Sequence, residues 1–310
     1  MDQLNRLGTE LIDEAIDFAD ELGIAEYRLD NETTVLDFGV EHAGGVEAGL
    51  MLAEIQTAGL ASVTTRLESV GAAALPHVEL TTDHPSLALL AGQKAGWELT
   101  TEDFEGLGSG PARALVAEEG IFERLEYVEA FDFAVLAVES DALPTEAAAA
   151  QVAEYAGVPE SSVFLPTFST ASITGSVAGA ARASESAVFA LFELGYDPEN
   201  IHSVSGIAPV APVAGSEQAA IARTNDALAY GGRVHLTVEE ESDVFAEVPS
   251  TAGEEYDRPF AEIFDDADWD FEELPADVFG PAQLTVDVIG GETTVYGETD
   301  EELLVESFGL

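Results

Sequence analysis

The sequence has no cysteine and a single lysine, Lys94. Without cysteine there are no disulfides, no thiolate metal ligands and no thiol nucleophile. Lys and Arg together number only ten, against sixty-one Asp and Glu, so the formal net charge is −51 over 310 residues. A chain this poor in cations offers no basic patch to neutralise phosphates, which excludes nucleic acid as a partner and argues equally against anionic membrane surfaces. No uncharged run is apolar enough to read as a membrane span, because Pro, Gly, Ser and Thr interrupt the longest of them. The histidines (His42, His77, His84, His202, His235) are scattered, with no HExxH or His-x-His pair, and there is no GxSxG elbow. "TTDHP" (81–85) is the best metal candidate, yet Asp-His-Pro more often builds a turn. No metal site is expected.

What is present is acid, and a great deal of it. The charge lies far outside the magnitude of roughly 2–8 usual for a small soluble domain. Self-repulsion at this level destabilises a compact state unless salt screens it, and the Debye length falls from about 10 Å at 0.1 M to about 3 Å at 1 M. The composition therefore reads as adaptation to molar intracellular salt. A disordered acidic protein is excluded, because 46% of residues are hydrophobic and the acids are interspersed. The opening "MDQLNRLGTELIDEAIDFADELG" is an acidic amphipathic helix with no basic n-region, so a cytoplasmic location is expected.

Helical periodicity appears at 2–22, 44–57, 86–95, 145–156 and 173–195. Strand-like runs include "TTVLDFGV", "HVELTT", "FAVLAVES", "SVFLPT", "RVHLTVEE" and "QLTVDVI". The mixture is too irregular for a barrel or a Rossmann series and predicts an α+β fold of two mixed domains. A boundary at the Pro-containing turn "GVPESSVFLPT" (157–167) gives domains 1–165 and 166–310. The first carries Lys94 and the "GSGPAR" loop; the second carries Arg182 and Glu185.

In so acidic a chain, an uncharged stretch is hidden from solvent. Residues 161–181 and 201–216 contain no Asp, Glu, Lys or Arg. Each fits a buried core segment; their Gly, Ser and Thr content also fits the wall of a polar pocket, with Ser172 and Ser176 as candidate ligand contacts. Arg182, the first charge after the longer stretch, lies three residues before Glu185 on one helical face. Such a pair is ordinarily a solvated surface contact. In a partly dry site it is instead a carboxylate oriented by a guanidinium, a natural general base. In "GLGSGPARAL" (106–115), Ser109, Gly110 and Arg113 surround a proline suited to a first helical turn, which makes either an ordinary glycine loop or an anion-binding helix start. "ARTNDALAYGG" groups Arg223, Thr224, Asn225 and Asp226, which either read a hydrogen-bonding heterocycle or close a turn.

Taken in order, "AGGVEAG", "TTDHP", "QKAGW", "GSGPARAL", "PTFSTASITGSV" leading to "ARASE", "GIAPVAPV", "RTNDALAYGG" and "ESFGL" resemble the methenyltetrahydromethanopterin cyclohydrolase family. The resemblance runs from about residue 31 to Leu310. It implies a cofactor-free, metal-free cytoplasmic enzyme of one-carbon metabolism that reversibly hydrolyses a methenyl-tetrahydropterin to the formyl form. It further implies a homotrimer of two-domain subunits with the pterin in the cleft between the domains. Glu185 matches the catalytic glutamate, Arg182 its arginine partner, and Lys94 a lysine lining the same site. Ser109, Gly110, Arg113, Ser172, Ser176, Arg223, Thr224, Asn225 and Asp226 are the expected substrate contacts. Two positions depart from the pattern: Ala222 stands where glycine is expected, and Ala178 where glutamine is, one helical turn before Arg182 and on a face open to the same pocket. These departures leave a folate-type carrier as an alternative substrate. Neutral walls and a glycine loop also fit a noncatalytic pterin- or phosphate-binding protein.

Overall fold

A computed structural model describes residues 3–310 other than 268, 270–273 and 275. The strands are β1 (Ala25–Arg28), β2 (Thr34–Gly39), β3 (Ser62–Val70), β4 (Ala73–Thr82), β5 (Ala95–Thr100), β6 (Glu105–Ser109), β7 (Ala134–Val135), β8 (Ala137–Glu139), β9 (Val163–Phe168), β10 (Ile201–Pro209), β11 (Arg233–Val238), β12 (Gln283–Val288) and β13 (Thr293–Gly297). With the helices between them they form an α+β architecture. The chain divides into two compact units, Met1–Ala61 with Leu87–Ala178, and Ser62–Ser86 with Gly179–Leu310. The changeover between units lies within the helix Ile173–Ala180, whereas residues 165 and 166 lie inside β9.

The first unit is built on a mixed sheet of order β1-β2-β9-β8-β6-β5, with β7 also on β9. At its centre β9 runs parallel to β2, β7 and β8, and β2 is buried at every position. Parallel strands covered on both faces read as continuous apolar runs, which is how "TTVLDFGV" and "SVFLPT" appear. Alternate side chains of β2 feed two cores. Leu36 and Phe38 pack with Ile12 of the helix Leu4–Asp17 and Leu52 of the helix Val46–Gln56. Val35 packs with Leu165 of β9 and Val152 of the helix Glu146–Ala156. That last helix is capped at both ends from its own sequence: Thr145 accepts from Ala148 N, and Gly157 takes the left-handed conformation after the last turn. The helix Leu4–Asp17 lacks such a cap and borrows one from afar. The Glu129 carboxylate accepts the Leu4 and Asn5 backbone N–H groups and the Asn5 side chain.

The second unit holds a sheet of order β13-β12-β11-β10-β4-β3, antiparallel except between β11 and β12. Val234, Leu236 and Val238 of β11 are buried while Arg233, His235 and Thr237 point to the other side, the alternation of a half-covered strand. Its helical layer includes Glu217–Gly231 and Glu301–Phe308, joined through Ala227, Tyr230, Phe260, Phe264, Leu304 and Phe308.

One element departs from the regular forms. Residues Ser86–Gln93, expected as an ordinary helix, wind as a π-helix that closes with Lys94 N donating to Leu89 O at 2.7 Å. Gly92 permits the tightest approach, since a Cβ there would lie 2.7 Å from the Gln56 carbonyl oxygen. Extended π turns are rare and concentrate at functional positions. Lys94 is the residue this one delivers.

Candidate active site

In the second unit, the helix Ala183–Glu193 begins at Arg182 and carries Glu185 in its first turn. Its start is pressed onto β10. Ser184 is fully buried, and a Cβ on Gly206 would lie 2.3 Å from Ser184 Oγ, so only glycine allows this approach. Glu185 is consequently held against the sheet, 4% exposed. Arg182 Nε donates to Glu185 Oε2 at 3.1 Å, and Nη2 lies 3.1 Å from the same oxygen. The result is a nearly buried carboxylate with one oxygen gripped by a guanidinium. That is not the solvated helix-surface pair the spacing alone allows.

In the first unit, Lys94 stands between the π-helix and β5, its side chain 18% exposed. Its Nζ donates to Ala95 O at 3.0 Å and lies 3.4 Å from Glu119 Oε2. Glu119 is gripped in turn by Arg113, with Nε to Oε1 and Nη2 to Oε2 both at 2.7 Å, a bidentate fork. Arg113 is fully buried and spends Nη1 on the carbonyl oxygens of Gly92 and Lys94 at 3.1 and 2.7 Å. Its guanidinium carbon lies 5.6 Å from the Phe122 ring centroid. Burial by itself raises the Glu119 carboxyl, but the hydrogen bonds and charge of Arg113, with the charge of Lys94, outweigh it and hold the group below its ordinary value. Glu119 escapes sequence reading. It sits six residues beyond Arg113 among many other acids, so no spacing marks it.

The remaining expected contacts are bonded largely within their own units. Gly110 adopts φ +105° and donates its N–H to Gly92 O at 2.8 Å, while Ala112 N donates to Val135 O. The "GSGPAR" backbone is therefore internally paired and no open anion cradle. Ser109 is 4% exposed and accepts from Gln56 Nε2 at 2.9 Å. Ser172 caps the helix Ile173–Ala180, accepting from Gly175 N at 2.9 Å, and Ser176 is buried in that helix. Arg223, Thr224, Asn225 and Asp226 close no turn; they lie inside the helix Glu217–Gly231. Thr224 and Asn225 bond back to carbonyls of that helix, and Arg223 donates to Pro212 O at 3.3 Å. Asp226 is buried and accepts from Phe260 N and from Ser307 Oγ in the terminal "ESFGL". Burial pushes its carboxyl up to about 6, against the opposing pull of those hydrogen bonds and of Arg223. The two departing alanines are core residues: Ala178 packs with Leu36 and Phe38, and Ala222 with Tyr230 and Phe260. Among the described residues no group of three or more His, Asp or Glu is placed to hold a metal ion.

The profile of the cyclohydrolase (MCH) family matches residues 3–308. Two proteins of Halobacterium salinarum strains, both named methenyltetrahydromethanopterin cyclohydrolase, are 61% identical to this chain over 310 residues, covering 100% of each. A protein of that name from Methanocella arvoryzae is 37% identical over 315 residues, covering 100% of this chain and 99% of its own.

Proposed function

Since this chain belongs to the cyclohydrolase (MCH) family, we infer that it is an enzyme catalysing the methenyltetrahydromethanopterin cyclohydrolase reaction, the hydrolysis of the methenyl bridge to a formyl group and its reversal. Relatives matched from end to end and named for the methanopterin substrate favour that carrier over folate. The two residue departures that had left folate open are core positions. A noncatalytic binding role has no comparable support.

The observation that carries the mechanism is the grip of Arg182 on one oxygen of a nearly buried Glu185. The methenyl carbon lies between two nitrogens in an amidinium-like cation and is electrophilic without a Lewis acid. What it needs is a positioned, deprotonated water. Glu185 takes a proton from water as its oxygen bonds to that carbon, giving a neutral carbinolamine. The C–N bond then breaks, the departing nitrogen takes the proton back from Glu185, and the carboxylate receives the hydroxyl proton as the carbonyl forms. One proton is released to solvent overall. Arg182 fixes the carboxylate rotamer and keeps it from closing onto the cationic substrate. Lys94 is assigned to binding a polar edge of the substrate.

On this chemistry neither metal nor cofactor is required, and activity should survive a chelator; loss on EDTA treatment that a divalent metal restores would refute it. The family resemblance supports a homotrimer working in the cytoplasm, and light scattering in molar salt tests the assembly. No helix among the described residues is long and apolar enough to cross a membrane. The deciding experiment compares turnover of methenyl-tetrahydromethanopterin and methenyl-tetrahydrofolate in molar KCl. The methanopterin substrate should turn over faster. Preference for the folate substrate would reassign the carrier, and turnover of neither would remove the enzyme reading.

A further inference from the structure

We propose that Glu119 is a positioning residue for Lys94, anchored by the buried guanidinium of Arg113 so that the one lysine ammonium is held in place. The inference rests on the assignment of Lys94 to substrate binding.

The argument starts from the lysine side chain. Four methylenes make it flexible, and its ammonium is a compact charge with no preferred direction. In a chain with sixty-one acids, many carboxylates compete for such a cation. Here one carboxylate is fixed in front of it. Both Glu119 oxygens are taken by Arg113 at 2.7 Å, and Oε2 also faces Lys94 Nζ at 3.4 Å. An acid facing lysine alone would neutralise it. In this cluster two cations share one anion, and Arg113 holds that anion in place. The same guanidinium holds the Lys94 backbone, because Nη1 donates to the Lys94 carbonyl oxygen at 2.7 Å and to that of Gly92 at the end of the π-helix. A single buried arginine thus sets the lysine at both ends, directly at the main chain and through Glu119 at the ammonium. Gly96 leaves room for this: a Cβ there would fall 2.7 Å from both Arg113 Nε and Glu119 Oε1.

An ordinary structural ion pair between Arg113 and Glu119 would predict something different, namely that losing Glu119 harms the enzyme whether or not Lys94 is present. The test is a kinetic double-mutant cycle in molar KCl with methenyl-tetrahydromethanopterin, using wild type, Glu119→Gln, Lys94→Met and the double variant. Each single variant is expected to raise KM on the order of tenfold with a smaller change in kcat. The double variant is expected to be no worse than Lys94→Met alone. Losses that multiply would overturn the positioning role while leaving Lys94 as a binding residue. Wild-type kinetics in Lys94→Met would overturn the assignment of Lys94, and this proposal with it. Should Glu119→Gln fail to fold by circular dichroism, Glu119→Asp, which keeps the charge but draws it back by one methylene, goes through the same cycle and is judged by the same outcomes.

Discussion

Glu185 and Asp226 are both buried acids, and the contrast between their partners separates chemistry from architecture. Glu185 is gripped by the Arg182 guanidinium, whereas Asp226 gives one oxygen to the Phe260 N–H and the other to the Ser307 hydroxyl. On the proposed mechanism, replacing Glu185 with Gln preserves shape but removes both the base and the returning acid. A positioned acid–base group contributes about 10²–10⁴-fold, so kcat in single-turnover measurements should fall at least a hundredfold. Arg182→Ala should also lower kcat, and the double variant should be far from additive because the two act as a unit. Turnover of Glu185→Gln within a few-fold of wild type would return the pair to ordinary helix-surface status. For Asp226 the expectation concerns stability. Its folded carboxyl is raised from 3.8 to about 6, so between those values the native state binds the proton that the unfolded state releases. Stability from this group is therefore full below the lower value and is lost as pH rises through the upper one. That difference corresponds to about 3 kcal/mol. Asp226→Asn mimics the protonated form, so its melting temperature relative to wild type should rise between pH 5 and pH 8. A difference that stays flat over that range would mean that the buried carboxylate carries no such cost.

Elements with strong internal period were legible in the sequence, and those defined by their neighbours were not. "TEAAAAQVAEYAG" carries its own start and stop, and the helix Glu146–Ala156 lies where the pattern puts it. "SVTTRLESV" gave no strand signal, since most of β3 faces solvent and Leu67 is 73% exposed; pairing along the whole of β4 makes it a strand. The uncharged 201–216 stretch was read as core or pocket wall, and its first nine residues form β10, at the middle of the second sheet. The Arg182–Glu185 pair was legible because its spacing is local, whereas Glu119 needed the tertiary structure to bring it to Lys94. Gly206, in the middle of β10, shows how an element outside the chemistry can set it. Its missing side chain lets Ser184 and the start of the Glu185 helix touch the strand. Gly206→Ala must push that turn outward, and a misplacement of about 1 Å can cost on the order of a hundredfold in rate. We expect kcat to fall by ten- to a hundredfold, in that range, in protein that still melts cooperatively. Gly215→Ala, where an added Cβ meets nothing within 4 Å, is the control and should match wild type. Equal kinetics in the two variants would show that the close approach does not govern Glu185.

At the scale of the whole molecule, charge leaves few choices. Ten cations cannot neutralise sixty-one acids, and the structure concentrates several of them in shared clusters: Arg66 and Arg233 both meet Glu68, while Lys94 and Arg113 share Glu119. Arg258 serves Glu255, Glu262 and Asp266 at once. The exposed pairs among these contribute only about 0–1 kcal/mol each, and the net −51 remains for the solvent to screen. The apolar cores of the two units are ordinary in kind, so the variable term in stability is the repulsion outside them. At about 0.1 M salt the screening length is roughly 10 Å, long enough for acids on one face to repel one another; near 1 M it is about 3 Å, shorter than most of their separations. Circular dichroism on dilution out of molar KCl should therefore show cooperative unfolding, or a melting temperature that falls steeply with salt. Screening acts through ionic strength, so KCl and NaCl at equal concentration should restore the folded state to a similar degree. A thermal transition unchanged between about 0.1 M and 2 M salt would show that the acidic surface is not what ties this fold to salt. Restoration by one cation alone would point instead to specific ion binding by the carboxylates.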